Sequence, residues 1–166
     1  MIISAADQLS FPQFTQYVRV AIPRVINVPL IVKTMARFGG FTKTELADTL
    51  RWGHGARIKI INLSDNTQPG FSICVAGIAS AFGCTRGGVT TEIEVDSITV
   101  GEFENDPNGR GVGQNAQHKN VFIVGVTILH ELCHLGCNTK GISEATFPGG
   151  EAGLAYERAT YGRVIP

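Results

Sequence analysis

The chain has 166 residues, 43% apolar and 17% charged, enough for one domain to bury a core without metal or disulfide support. Lys plus Arg and Asp plus Glu both number 14, a formal net charge of zero, which argues against a surface built to coat nucleic acid or anionic membrane. Membrane insertion is not expected either: the apolar stretch from Ile22 to Val32 contains Pro23, Arg24, Asn27 and Pro29 and falls short of the ~20 apolar residues a spanning helix needs.

In chain order, the opening MIISAADQLSFPQF lacks the basic-then-apolar pattern of a conventional signal peptide. Phe14, Tyr17, Val18 and Ala21 recur at helical spacing, so residues 11–38 are expected to form one or two short helices broken near Pro23 and Pro29. Thr42 with Glu45 three residues later reads as a capping box, starting a helix that runs from Lys43 to about Trp52. Arg57 to Ile61 alternates as a strand does, with a turn from Asp65 to Gly70. Phe71 to Ala81 is apolar and fits either strand or helix. Thr90 to Phe103 alternates apolar with polar residues and is expected to form two short strands. Glu102 to Gln117 is polar and rich in Gly and Asn, a loop of a length suited to a cleft rim. Asn120 to Gly136 has apolar residues around most of a helical circumference, as a helix in the middle of a domain does. After turn chemistry from Ser143 to Gly150, Glu151 to Tyr161 reads as a last helix ended by Gly162.

The four cysteines, Cys74, Cys84, Cys133 and Cys137, form no pair of CxxC hooks, so a zinc site built from all four is not expected. Cys74 and Cys84 are spaced to close a short loop; four buried free thiols is the other reading.

The informative segment is His130-Glu131-Leu132-Cys133-His134. Histidines four residues apart on a helix present both imidazoles on one face, one turn apart, which lets two nitrogens enter one metal shell. Glu131, beside the first of them, is placed to take a proton from a metal-bound water. Two histidines satisfied by core hydrogen bonds are the structural alternative.

TILHELCHLG resembles the extended motif of the zincin metallopeptidases, although Gly136 is smaller than the usual apolar residue there. The segment Glu157-Arg158-Ala159-Thr160-Tyr161-Gly162 looks more distantly like the ExxTxG ending of bacterial effector metallopeptidases. The resemblance implies a zincin-like α+β fold over 1–166 as a single domain. In it a small twisted sheet packs on the central motif helix, and a C-terminal helix donates a ligand. It also implies Zn2+ held by His130 and His134, Glu131 as general base, and a protein or peptide substrate. A cognate inhibitor or immunity protein, and a secreted or delivered effector with no conventional signal peptide, follow from the same resemblance; a cytoplasmic location is the alternative.

The third ligand stays open between Glu157, preferred because it begins the ending motif, and Glu151, with Glu144 or a more distant acid behind them. On one ideal helix Glu151 and Glu157 differ by roughly 240°, so one face cannot serve both. Tyr161 is a candidate for the developing oxyanion, or a packing tyrosine. A zinc amidase or endopeptidase acting on peptidoglycan stem peptides, and a non-catalytic metal-stabilised binding module, are the alternative functions.

Overall fold

The computed structural model describes residues 1–63 and 82–166. The expected turn at Asp65–Gly70, the segment Phe71–Ala81 and Cys74 lie outside the described residues. The N-terminal part is helical and broken where its prolines dictate. A two-residue strand β1 (Ile2–Ile3) leads to α1 (Ala5–Ser10) and α2 (Pro12–Val20), a 3-10 turn Ile22–Asn27, α3 (Pro29–Gly39) and α4 (Lys43–Leu50). Pro12 and Pro29 each open a helix, where a missing N–H costs nothing. The capping box at Thr42 and Glu45 is present, and α4 ends two residues before the expected Trp52.

Strands β1, β2 (Arg57–Ile61), β3 (Gly83–Cys84) and β4 (Glu92–Asp96) form one sheet in the order β1-β2-β4-β3. The first three in that order are parallel, with Ile58 opposite Ile93 and Ile60 opposite Val95, and β3 is antiparallel to β4. Glu94 is buried in β4 because the Arg86 guanidinium grips both of its oxygens, at 3.0 and 3.2 Å.

Only the first half of the alternating stretch after Thr90 is a strand. Ser97–Asn105 is a helix, α5, because the Asp96 carboxylate accepts from the N–H groups of Ile98 and Thr99 and starts a helical turn. Alternation over Ser97 to Phe103 is equally a helix face, since Val100 and Phe103 are three apart and both buried. The polar stretch that follows contains β5 (Val112–Gln114), which pairs with β6 (Asn120–Phe122) as a hairpin.

Helix α6 (Ile123–Lys140) therefore starts three residues later than expected and runs past Gly136 to Gly141, whose left-handed φ of 64° caps it. Gly136 is internal because α3 crosses here: a Cβ on it would lie 2.0 Å from the Gly39 carbonyl oxygen. The α6 helix is buried on almost all sides, against α3, α5, β4 and the last helix α7 (Ala152–Tyr161). Ile128, Leu132, Ile93, Phe14, Met35, Leu46 and Tyr156 are among the fully buried side chains around it. The fold is α+β, a small sheet and helices packed on the motif helix, as expected. A 3-10 turn Glu144–Thr146 and two left-handed glycines, Gly149 and Gly150, bring the chain back from α6 to α7.

Candidate metal centre

His130 and His134 leave the same face of α6 with ring centroids 5.1 Å apart. Helix α7 packs against that face, and its first turn comes so close that a Cβ on Gly153 would stand 2.2–2.4 Å from three atoms of the His130 ring. Glu151 precedes that turn. As N-cap its carboxylate accepts from the N–H groups of Gly153 and Leu154, and Oε1 is aimed at both imidazoles. It lies 3.4 Å from Nε2 of His130 and in direct contact with Nε2 of His134. One ring nitrogen of each histidine and one Glu151 oxygen lie within 4.8 Å of one another.

Glu157 lies six residues further along, within α7, and reaches the other nitrogen of His130, with Oε1 2.6 Å from Nδ1. Its second oxygen accepts from the backbone N–H of Ile165 at 2.7 Å. Glu144 does the same for His134: both oxygens are 2.8 Å from Nδ1, and Oε2 also accepts from Ala152 N–H, 3.0 Å away. Each imidazole thus has a carboxylate behind it on Nδ1 and shares Glu151 on Nε2. The 240° between Glu151 and Glu157 does not separate them from the site. Glu151 stands off the helix as its cap, and the two acids approach His130 from opposite sides of its ring.

Glu131 is buried beneath β3, with Oε1 4.0 Å from Nε2 of His130, and its Oε2 has no hydrogen-bond partner among the described residues. A Cβ on Gly83 would meet its Cγ at 2.8 Å and Oε1 at 2.9 Å, so β3 lies directly on this side chain. Thr85 fixes the same contact by donating to the Glu131 backbone carbonyl at 3.0 Å. Burial raises the Glu131 pKa, against the pull of His130 and His134. For the imidazoles burial works against charge, but the carboxylates prevail: Glu151 and Glu157 bring His130 to about 10, and Glu144 and Glu151 bring His134 to about 9.

This donor set fits a divalent cation. Four carboxylates converge on two imidazoles, and no lysine or arginine is among the described residues lining the cleft. With neutral rings the cluster carries a surplus of negative charge in a partly desolvated place, which a bound dication offsets. Two nitrogens and one carboxylate oxygen are a donor set that suits zinc, and Oε1 of Glu131 lies 4.0 Å from Nε2 of His130.

The cleft over this cluster has a volume of about 620 Å3 and is lined by β3 residues, the motif side chains, Asn138, Leu154 and residues 164–166. Tyr161 does not line it. Its hydroxyl lies 3.2 Å from that of the fully buried Tyr156, and its ring packs edge-on to the Tyr156 ring. Cys133 and Cys137 are buried free thiols that meet α3, Cys133 at the Met35 sulfur and Cys137 at the Phe38 carbonyl oxygen, while Cys84 is disulfide-bonded and lines the cleft. The contributions of Glu151 and Glu144 were the least legible in advance, since a glutamate after two glycines is a weak signal for a cap that also faces a histidine pair.

No helix among the described residues is long and apolar enough to cross a membrane. Comparisons with curated proteins and with solved structures returned no match. A family model described as metallopeptidase toxin 3 matches residues 7–162, which takes in every element that builds the cleft except its last three wall residues. The chain with its paired histidines, buried glutamate and facing carboxylates belongs to the metallopeptidase toxin 3 family.

Proposed function

We propose that the chain is a zinc-dependent peptidase in which His130, His134 and Glu151 hold the metal and Glu131 is the general base. The observation that carries this reading is the convergence of those three donor side chains with a buried, half-unpartnered carboxylate in one cleft. Bound zinc would supply Lewis-acid polarisation of the scissile carbonyl and make water a stronger acid. Glu131 takes the proton from the attacking water and delivers it to the departing amine nitrogen. A carboxyl whose pKa is lifted by burial suits both halves of that transfer. Glu157 and Glu144 accept from Nδ1 of the two ligand rings, which fixes their tautomer and leaves Nε2 for the metal.

Glu151 is preferred to Glu157 as third ligand because it faces Nε2 of both rings, whereas Glu157 is committed to Nδ1 of one and to Ile165. Tyr161 is read as a packing residue that ties α7 to Tyr156, and not as an oxyanion donor. A peptide substrate is supported by β3, which is the last strand of its sheet among the described residues and forms a wall of the cleft. An extended chain can lie along such an edge. In this reading residues 1–166 act as one zincin-like domain, delivered as an effector and held in check by a cognate inhibitor protein.

The test is metal analysis and peptide cleavage on the same preparations of wild type, His130→Ala, Glu151→Gln and Glu131→Gln. The expected pattern is zinc lost in the first and weakened in the second. Glu131→Gln should retain zinc while cleavage falls by ~10²-fold or more. Full cleavage by Glu131→Gln would overturn the mechanism, and full zinc affinity in Glu151→Gln would remove that residue from the ligand set.

A further inference from the structure

Residues Val164, Ile165 and Pro166 cross back over the molecule after α7 and form part of the cleft wall. Ile165 is 4% exposed and packs on Ile123 and Val126 in the first turns of α6, two turns and one turn before His130 respectively. The hairpin is shaped for it: a Cβ on Gly113 would lie 2.5 Å from Cγ2 of Ile165. The backbone N–H of the same residue donates to Oε2 of Glu157, whose Oε1 holds Nδ1 of His130. Glu157 itself is buried, 5% exposed. One carboxylate is therefore shared between an imidazole of the metal centre and a main-chain donor of the cleft wall.

We propose that Glu157 and the Ile165 amide are positioning groups that couple metal binding to the docking of residues 164–166. A carboxylate held by two donors has its plane and lone pairs fixed. With Ile165 withdrawn, Oε2 loses its only described donor in a buried place, and Glu157 is free to turn away. His130 then loses its fixed acceptor on Nδ1 and the orientation that turns Nε2 toward the metal site. The converse holds by linkage: a metal that requires Nε2 in place favours the ordered Glu157, and with it the docked wall. Metal occupancy thereby shapes the surface that a substrate meets. This inference concerns metal binding and does not depend on what the protein cleaves.

The experiment measures zinc dissociation constants by competition with a chromophoric chelator. It uses the whole chain as wild type, Ile165→Ala and Ile165→Pro, and also follows exchange of the Ile165 amide in wild type with and without zinc. Ile165→Ala keeps the N–H and loses most of the side chain; Ile165→Pro removes the N–H. The expected result is zinc binding weakened ~10-fold by Ile165→Pro and changed less than about twofold by Ile165→Ala. The wild-type amide should exchange ~10-fold more slowly with zinc bound, by the same linkage. Equal zinc affinity in the two variants, or an Ile165 amide indifferent to zinc, would overturn the proposal. The wild-type exchange measurement decides alone if Ile165→Pro does not fold.

Discussion

Replacing Gly153 by alanine adds a single carbon, and the structure places it inside the imidazole of His130, 2.2 Å from Cδ2, 2.3 Å from Nε2 and 2.4 Å from Cγ. Carbon atoms in contact settle at ~3.5–4.0 Å, so ring and helix must part by more than ~1 Å. The ring has nowhere to retreat, since Nδ1 is held by Glu157 at 2.6 Å and the helix behind it is buried. The displacement therefore falls on the gap between Nε2 and Glu151, already 3.4 Å. An error of ~1 Å in a reacting constellation costs ~10²-fold in rate, and disturbing a ligand's surroundings costs ~10–100-fold in metal affinity. Overpacking should also lower stability by ~1–3 kcal/mol. The measurements are zinc affinity by chelator competition, cleavage rate at saturating zinc and urea unfolding of the metal-free protein. Gly101→Ala is the control: it lies within α5 with nothing within 4 Å of the added carbon, and should stabilise by ~0.5–1 kcal/mol. Wild-type zinc affinity and rate in Gly153→Ala would refute the close packing of α7 on His130, and with it the placement of Glu151.

Asp96→Ala should destabilise the protein by ~2–4 kcal/mol in urea unfolding, since it removes the cap of α5 and leaves the buried Leu63 N–H without its 2.9 Å acceptor; a loss below ~0.5 kcal/mol would mean that another group caps the helix. In the metal-free protein, burial opposes charge on His130 and His134, but neighbouring carboxylates raise their pKa values to about 10 and about 9. Stability from these charged rings is complete below the unfolded value of ~6.5 and is lost as pH rises through about 9 to about 10. Thermal unfolding of the metal-free protein should therefore move to lower temperature between pH 7 and pH 10, with a smaller shift in His130→Ala; a pH-independent wild-type midpoint would contradict this. Burial raises the thiol of Cys133 far above its usual range, and burial with Glu144 and Glu151 brings Cys137 to about 11. Iodoacetamide at pH 8 should leave both unlabelled in the folded protein and label both after denaturation, as read by mass spectrometry.

The motif helix, its two histidines and its neighbouring glutamate were legible because helical spacing is a local property: residues four apart share a face whatever surrounds them. The capping box at Thr42, the strand at Arg57–Ile61 and the stop at Gly162 were legible for the same reason. Ser97–Asn105 was not, because its apolar positions satisfy both a strand and a helix. The choice was made by the Asp96 carboxylate folding back on the next turn. Gly136 looked like an end, and only the crossing of α3 at Gly39 shows why it is an interior residue.

The same division runs through the candidate metal centre. The sequence alone placed two imidazoles and a carboxylate together, since these lie within five consecutive residues of one helix. Which acid faces Nε2 and which faces Nδ1 was decided by tertiary structure. Helix α7 sits so close at Gly153 that its cap, Glu151, lies over both rings while Glu157 falls behind one of them. That assignment depends on the distance and angle between two helices separated by a turn and two left-handed glycines, quantities that no spacing within either helix contains.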